Sequence, residues 1–173
     1  LRGRELFLRD HNLIDPLTQL YGLEYLYAVL AREITLHRSN QQPLSLIVVD
    51  VAQFSDFNRN HGFSAGDNFL TLLSELVISQ LRQGDVMCRY SGDCFVAILP
   101  NTSQVQADLL ALHLQHCLQQ LNKNHLTPEV NCLAVKVAAA TATDAIEQAF
   151  VELAKLKRSA ASQGFNPAAE TQL

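Results

Sequence analysis

A carboxylate and a thiol stand side by side, at Asp93 and Cys94, in a predicted hairpin turn. Within residues 82–100, two apolar runs flank Ser91-Gly92-Asp93, and glycine accepts the positive φ that a tight turn demands. Such a pair at a hairpin tip invites a functional interpretation. The alternative is structural, with Asp93 as a turn residue and Cys94 as a small core residue. Taken alone, the stretch favours the structural alternative.

A second carboxylate, Asp50, follows a run that is typical of a buried strand. Residues 44–49 are apolar on both faces, as in the central strand of a sheet. Asp50 is therefore predicted at the rim of the sheet. A solvated strand end is the structural alternative to a ligand site there.

The elements that must position these groups follow from the periodicity of apolar residues. Spacings of three and four residues predict amphipathic helices over about 23–38, 66–82, from Thr102 or Ser103 to about 121, and from Thr143 onward. A short helix or turn is predicted over 52–60 and a strand over 130–139. Because the hairpin makes part of the sheet antiparallel, the pattern predicts an α+β fold with helices on both faces.

Composition narrows the class of protein. The chain has 173 residues, 48% of them apolar, which fits one globular domain with a sizeable core. A net charge of −4 argues against a nucleic acid polymer as partner. Four cysteines without a CxxC pair indicate reduced thiols of a cytoplasmic domain. No apolar run approaches the ~20 residues of a membrane span.

Three segments are predicted along the chain. Residues 1–14 are predicted to be an incoming helix, 15–162 the domain itself, and 163–173 a linker to a further domain. The first residue is leucine, which suggests a piece of a longer protein, one that could carry a membrane anchor upstream.

Four blocks of the sequence resemble the GGDEF domain of bacterial diguanylate cyclases, in the family's order. Residues 15–22 resemble the DxLTGLxN entry, and residues 50–67 resemble DxDxFKxxND…GHxxGD. Residues 82–85 resemble the RxxD inhibitory site, and Arg89-Tyr90-Ser91-Gly92-Asp93-Cys94-Phe95 resembles RYGGDEF. The nine-residue offset from Arg82 to Ser91 also matches the family's spacing.

The resemblance implies the palm-like fold of nucleotidyl cyclases, with a central, mainly antiparallel five-stranded sheet. It also implies a chemistry in which two GTP molecules, one on each of two facing domains, are joined into cyclic di-GMP. Metal ions hold the phosphates in that reaction.

The resemblance carries a set of site residues onto this chain. Asp50 and Asp93 match the metal positions, Asn58 and Asp67 match the pair that binds guanine, and Lys157 matches a phosphate contact. The structural alternatives are a solvated strand end and a turn residue for the first pair, and N-capping and loop hydrogen bonds for the second.

Other family positions are lost, and most of them would touch the triphosphate. Cys94 stands where the family has the catalytic Glu, and a neutral thiol is a poor Mg²⁺ ligand and a poor base. Ser91 replaces a glycine, Ser55 a phosphate-contacting Lys, Ala52 a second Asp, and Ala161 a phosphate-binding Arg. Mg²⁺ as cofactor is therefore doubtful, and Asp50 and Asp93 are expected to be vestigial or weak ligands.

The RxxD motif is intact at Arg82 and Asp85. In the family it binds a cyclic di-GMP dimer, with the guanidinium on phosphate or guanine and the carboxylate on guanine N–H groups. Arg38 and Arg89 are candidates for a second arginine. A surface Arg–Asp pair without ligand is the structural alternative.

Three hypotheses follow. The first is a catalytically inactive or strongly impaired GGDEF domain that acts as a receptor, binding cyclic di-GMP at the RxxD site or GTP weakly. It would signal to a neighbouring domain, such as an EAL-type domain. The second is a residual diguanylate cyclase. The third is a dimerisation scaffold that binds no nucleotide and acts as a homodimer.

Overall fold

The computed structural model describes residues 13–121 and 127–163. The elements in chain order are α1 (Leu23–Asn40), β1 (Leu44–Val51), α2 (Phe54–His61), α3 (Phe63–Gln80), β2 (Val86–Ser91), β3 (Cys94–Pro100), α4 (Gln104–Leu121), β4 (Val130–Lys136) and α5 (Ala142–Gln163). The predicted entry helix and C-terminal linker lie almost wholly outside the described residues. Within those residues, no helix has both the length and the apolar character that crossing a bilayer requires.

The sheet is antiparallel throughout, in the order β2-β3-β1-β4. This confirms the predicted α+β fold. The prediction of five strands is wrong for the described part of the chain, where four strands form the sheet. Beside β2, Tyr21 makes isolated bridges to Cys88 and to Ile14 rather than forming part of a strand. The chain turns too tightly around Asp15 to extend the bridge to Cys88, because the Asp15 carboxylate accepts hydrogen bonds from both the N–H and the hydroxyl of Thr18.

Strand β1 lies at the centre and is buried along all eight residues. Its side chains alternate between two cores. Ile47 and Val49 pack with α3 and α4 on one face, and Leu46 and Val48 pack with α1 and α5 on the other. This explains why the strand is apolar on both faces, and it directs Asp50 toward the α1/α5 face.

The helices begin where polar side chains or glycine permit it. Ser103 caps α4 by accepting the Gln106 N–H at 3.3 Å, which confirms one of the two predicted caps. Helix α3 begins at Phe63 rather than at the predicted residue 66. The reason is Gly62, whose φ of +88° separates α2 from α3 without an intervening loop.

Candidate functional site

The end of β1 places Asp50 opposite Cys94 in the register with β3. Asp50 is 8% exposed and Cys94 is 4% exposed. Asp93 sits in the turn before the strand and contributes its backbone carbonyl, which accepts the Val51 N–H at 2.9 Å. The cross-strand neighbour of Asp50 is therefore the thiol, and the second predicted metal ligand lies one residue further along the turn.

Lys157 reaches this sheet end from α5. Its Nζ lies 2.5 Å from Oδ2 of Asp50, and the lysine side chain is 46% exposed. Among the described residues this Oδ2 has no partner with the angles of a hydrogen bond, so the contact is an ion pair without that geometry. Lys157, the predicted phosphate contact, is thus paired with Asp50, a predicted metal ligand.

The thiol of Cys94 stays protonated at neutral pH. Burial raises its pKa to about 12, and the neighbouring carboxylates of Asp50 and Asp93 add to the rise. The ammonium of Lys157 acts in the opposite direction. A protonated thiol does not accept a proton from a hydroxyl, so Cys94 cannot replace a catalytic carboxylate as base.

The donor set at this sheet end is poorly matched to Mg²⁺. Mg²⁺ takes oxygen ligands in near-octahedral geometry and keeps several waters. Here one carboxylate is held by an ammonium, and a protonated thiol stands beside it. Within the described ranges, no three His, Cys, Asp or Glu side chains group closely enough to hold a metal ion. A metal ion at Asp50 would share or compete for the carboxylate that Lys157 contacts.

Helices α2 and α3 bring Asn58 against Gly66, the residue before Asp67. The amide oxygen of Asn58 is buried there and has no hydrogen-bond partner among the described residues. A Cβ at Gly66 would collide with that oxygen and would lie 2.9 Å from Cγ of Asn58. Asp67 is exposed on α3, four residues after the helix begins at Phe63. The predicted guanine-binding pair therefore lies at one helix junction that requires glycine.

The RxxD motif forms a closed turn. The Asp85 carboxylate accepts the backbone N–H of Arg82 at 2.8 Å, and the guanidinium pairs with the same carboxylate at 3.4 Å. The Asp85 side chain is only 2% exposed, whereas that of Arg82 is 60% exposed. Asp85 thus acts first as a fixed support for the arginine, whose guanidinium remains partly open to solvent.

Two partners of Arg82 were not evident from the sequence. Its Nη2 donates to the Thr102 hydroxyl at 2.5 Å and to the Pro100 carbonyl at 3.3 Å. Pro100 ends β3 and Thr102 follows two residues later, so the register of the hairpin, rather than any local spacing, brings them to the motif. They hold the guanidinium against the end of β3.

A cleft of about 550 Å³ opens beside Arg82 and Asp85. It lies between the turn that precedes α1, the end of α3 and the edge strand β2. Its lining combines apolar side chains with two amides and includes Gln19, Tyr21, Ile78, Leu81, Gln83 and Met87. A planar heterocycle could be accommodated here next to the guanidinium.

The structure does not bring the two proposed second arginines to this cleft. Arg89 is bound to both carboxylate oxygens of Asp15, at 3.1 and 2.9 Å, and to the Gly92 carbonyl at 2.7 Å. Arg38 lines a separate cavity of about 180 Å³ at the end of α1. Arg89 instead ties the entry turn to the hairpin, because Asp15 also holds the Thr18 backbone.

Comparison with known proteins identifies the family of this domain. Residues 12–163 match the family described as the diguanylate cyclase GGDEF domain. The chain belongs to the GGDEF domain family. This membership ties the domain to cyclic di-GMP signalling.

Relatives of this GGDEF domain include diguanylate cyclase DosC of Escherichia coli K12, which is 28% identical over 140 residues. That alignment covers 79% of the chain and 30% of DosC, so the chain spans about a third of that relative's length.

Solved structures share the fold. Diguanylate cyclase SiaD, in complex with its activator SiaC from Pseudomonas aeruginosa, has a TM-score of 0.81 at 24% identity, covering 91% of this chain and 63% of that one. The GGDEF domain of DgcB from Caulobacter crescentus, in complex with c-di-GMP, has a TM-score of 0.74 at 19% identity, covering 86% and 89%.

Proposed function

We propose that this GGDEF domain is a catalytically inactive regulatory module that binds cyclic di-GMP through Arg82. The inactivity is inferred from the ion pair between Lys157 and Asp50, which lies beside a protonated Cys94. One metal ligand is neutralised from within the chain, and the residue at the base position holds its proton. Losing general-base assistance alone typically costs about 10²–10⁴ in rate.

The proposed binding of cyclic di-GMP is inferred from the RxxD turn, residues 82–85. Arg82 is the exposed member of the motif, and Asp85 fixes its backbone and guanidinium from behind. A pre-oriented guanidinium loses less entropy when it forks onto phosphate or a guanine edge. The adjoining cleft offers apolar walls for a base and the amides of Gln19 and Gln83 for its edge. A complex with c-di-GMP is known for the DgcB domain, which shares the fold.

GTP is the weaker candidate ligand. Asn58 and Asp67 would meet guanine, while Lys157 would have to leave Asp50 to meet phosphate. We propose Mg²⁺ only as a ligand that competes with Lys157 for the Asp50 carboxylate. In a longer protein, the domain would pass its ligand state to a neighbouring domain, such as an EAL-type domain, or to a second copy of itself.

Calorimetry with cyclic di-GMP tests the receptor function. The domain is expected to bind, and Arg82→Ala is expected to weaken binding by about 10–150-fold, because a charge-assisted contact of about 1.5–3 kcal/mol is lost. Arg59→Ala is the matched control, since Arg59 is an exposed arginine that pairs with Asp56 on α2. Its affinity should equal that of the unmodified domain.

Two results would overturn the proposal. An absence of heat with cyclic di-GMP would leave a scaffold that binds no nucleotide. Formation of cyclic di-GMP from GTP and Mg²⁺ at a rate usual for the family would instead identify a working cyclase, whatever the calorimetry gave.

A further inference from the structure

A histidine and a cysteine face each other on the surface of α4. Cys117 follows His113 by four residues, so the two side chains lie on one face of the helix. Sγ of Cys117 is 3.6 Å from Nε2 of His113. His113 is exposed and Cys117 is partly exposed, so an ion from solvent can reach both atoms.

The separation of the two atoms fits a shared metal ion. Zinc binds histidine nitrogen at about 2.0–2.1 Å and cysteine sulfur at about 2.3 Å, in tetrahedral geometry. Two such ligands at the tetrahedral angle stand about 3.6 Å apart. The observed 3.6 Å matches the separation of two ligands of one shared ion.

A third group converges from the neighbouring helix. The side-chain oxygen of Gln80, the last residue of α3, is 2.9 Å from Nε2 of His113. A tetrahedral oxygen ligand would stand about 3.4 Å from that nitrogen, so the amide oxygen must leave its hydrogen-bonding position and move to the side of the ion. Gln80 is exposed, and its side chain can make this movement.

We propose that His113, Cys117 and Gln80 form a binding site for a thiophilic divalent cation of the zinc class. The nitrogen and sulfur ligands exclude the hard cations Mg²⁺ and Ca²⁺, which prefer oxygen. The site is open, because the described residues supply no third His, Cys, Asp or Glu to it, and water completes the coordination. It is accordingly weaker than a closed four-ligand zinc site.

The site joins two elements that lead to the RxxD turn. Gln80 ends α3, and Arg82 follows two residues later. A cation held between α3 and α4 would therefore restrict the movement of the chain just before Arg82.

Cobalt(II) titration of the tag-free domain, followed by absorption, tests the site. A sulfur-to-cobalt charge-transfer band is expected, and zinc should abolish it by displacement. Cys117→Ser should remove the band, and His113→Ala should weaken binding by about tenfold or more. Gln80→Glu should tighten binding, because a carboxylate is a stronger ligand than an amide.

Two control variants keep the test specific. Cys132→Ser removes another partly exposed cysteine, whose pKa burial raises to about 12, and His116→Ala removes the neighbouring histidine of α4. Both should retain the band. Absence of the band from the unmodified domain, its persistence in Cys117→Ser, or its loss with Cys132→Ser would each overturn the proposal. Circular dichroism of every variant establishes that the fold is intact.

Discussion

The ammonium of Lys157 lies 2.5 Å from the carboxylate of Asp50 and joins the last helix to the end of the central strand. Asp50 is 8% exposed, so its charge is largely removed from water. A carboxylate in such a place needs a cation. In this GGDEF domain the chain itself supplies one, at the position where the resemblance implies a metal ion.

Replacing Lys157 by Met should destabilise the domain by about 1–2 kcal/mol, because it leaves a buried carboxylate without its counter-ion. The cost stays below that of a fully buried pair because the lysine is 46% exposed and solvent screens it. Urea unfolding measures the change.

Lys155→Met provides the matched control on the same helix. Lys155 pairs with Glu152 at 2.7 Å, where Lys155 is exposed and Glu152 is partly exposed. Its loss should cost about 0.5 kcal/mol or less. Equal effects of the two substitutions would show that the Asp50 pair is no more than a surface contact.

Substituting Cys94 by Glu should make the stability of the domain depend on Mg²⁺. The new carboxylate would stand beside Asp50, and like charges in a partly buried site repel. Without Mg²⁺ the variant should lose about 1–3 kcal/mol relative to Cys94→Gln, which has a similar shape and no charge.

Thermal unfolding with and without Mg²⁺ separates charge from shape. Mg²⁺ should raise the Tm of Cys94→Glu and leave that of Cys94→Gln unchanged, because a ligand stabilises the state that binds it. A similar Mg²⁺ shift in the unmodified domain would mean that Asp50 and Asp93 already hold the ion.

The sequence predicted the elements around the site better than the contacts within it. Residues 44–49 were predicted to be a strand because an apolar run is a local signal, and β1 indeed places Asp50 at the sheet rim. The hairpin of β2 and β3 was also predicted, but Gly92 does not have the positive φ that was expected of it. The four blocks in order were enough to predict the fold class. These elements could be predicted because each is determined by residues that are close together in the sequence.

The contacts that decide function join distant residues. Nothing in the spacing of Lys155, Lys157 and Arg158 says which cation reaches Asp50, because the helical phase of α5 against the sheet determines it. The same holds for Arg89, which was a candidate for the ligand site and instead binds Asp15. The prediction of five strands was wrong for a related reason. Whether the segment around Tyr21 pairs with the edge strand β2 depends on the turn before it, which involves contacts outside that segment.

Asp15→Asn should make the domain less stable at neutral pH and should remove part of its sensitivity to acid. Burial alone would raise the pKa of Asp15, but hydrogen bonds from Thr18 and the Arg89 guanidinium outweigh it and hold the pKa below its usual value of 3.8. A lowered pKa means that the stabilisation is present above pH 3.8 and is lost as the pH falls through the folded-state value.

Urea unfolding at several pH values measures this linkage. The difference between the unmodified domain and Asp15→Asn should be about 1.5–3 kcal/mol near neutrality and should shrink as the pH falls below about 4. Asp56→Asn removes an exposed carboxylate that pairs with Arg59 and should show a much smaller difference throughout. A difference that is constant with pH would contradict the ionic role of Asp15.

Gly66→Ala should destabilise the domain although alanine favours a helix over glycine by about 1 kcal/mol. The added Cβ would collide with the Asn58 amide and would lie 3.0 Å from Cζ of Phe54. Because the amide oxygen is buried, the side chain must move for the methyl group to fit. We expect a net loss of about 1–2 kcal/mol, within the range known for overpacking.

A double-mutant cycle with Asn58→Ala isolates that collision. Truncating Asn58 removes the clashing amide, so Gly66→Ala should cost less in the Asn58→Ala background, by about 1 kcal/mol or more of coupling energy. Purely additive effects in urea unfolding would mean that Phe54, rather than Asn58, requires the glycine. Coupling would establish that Gly66 is kept to seat Asn58 beside Asp67, the arrangement on which any guanine binding at this helix junction depends.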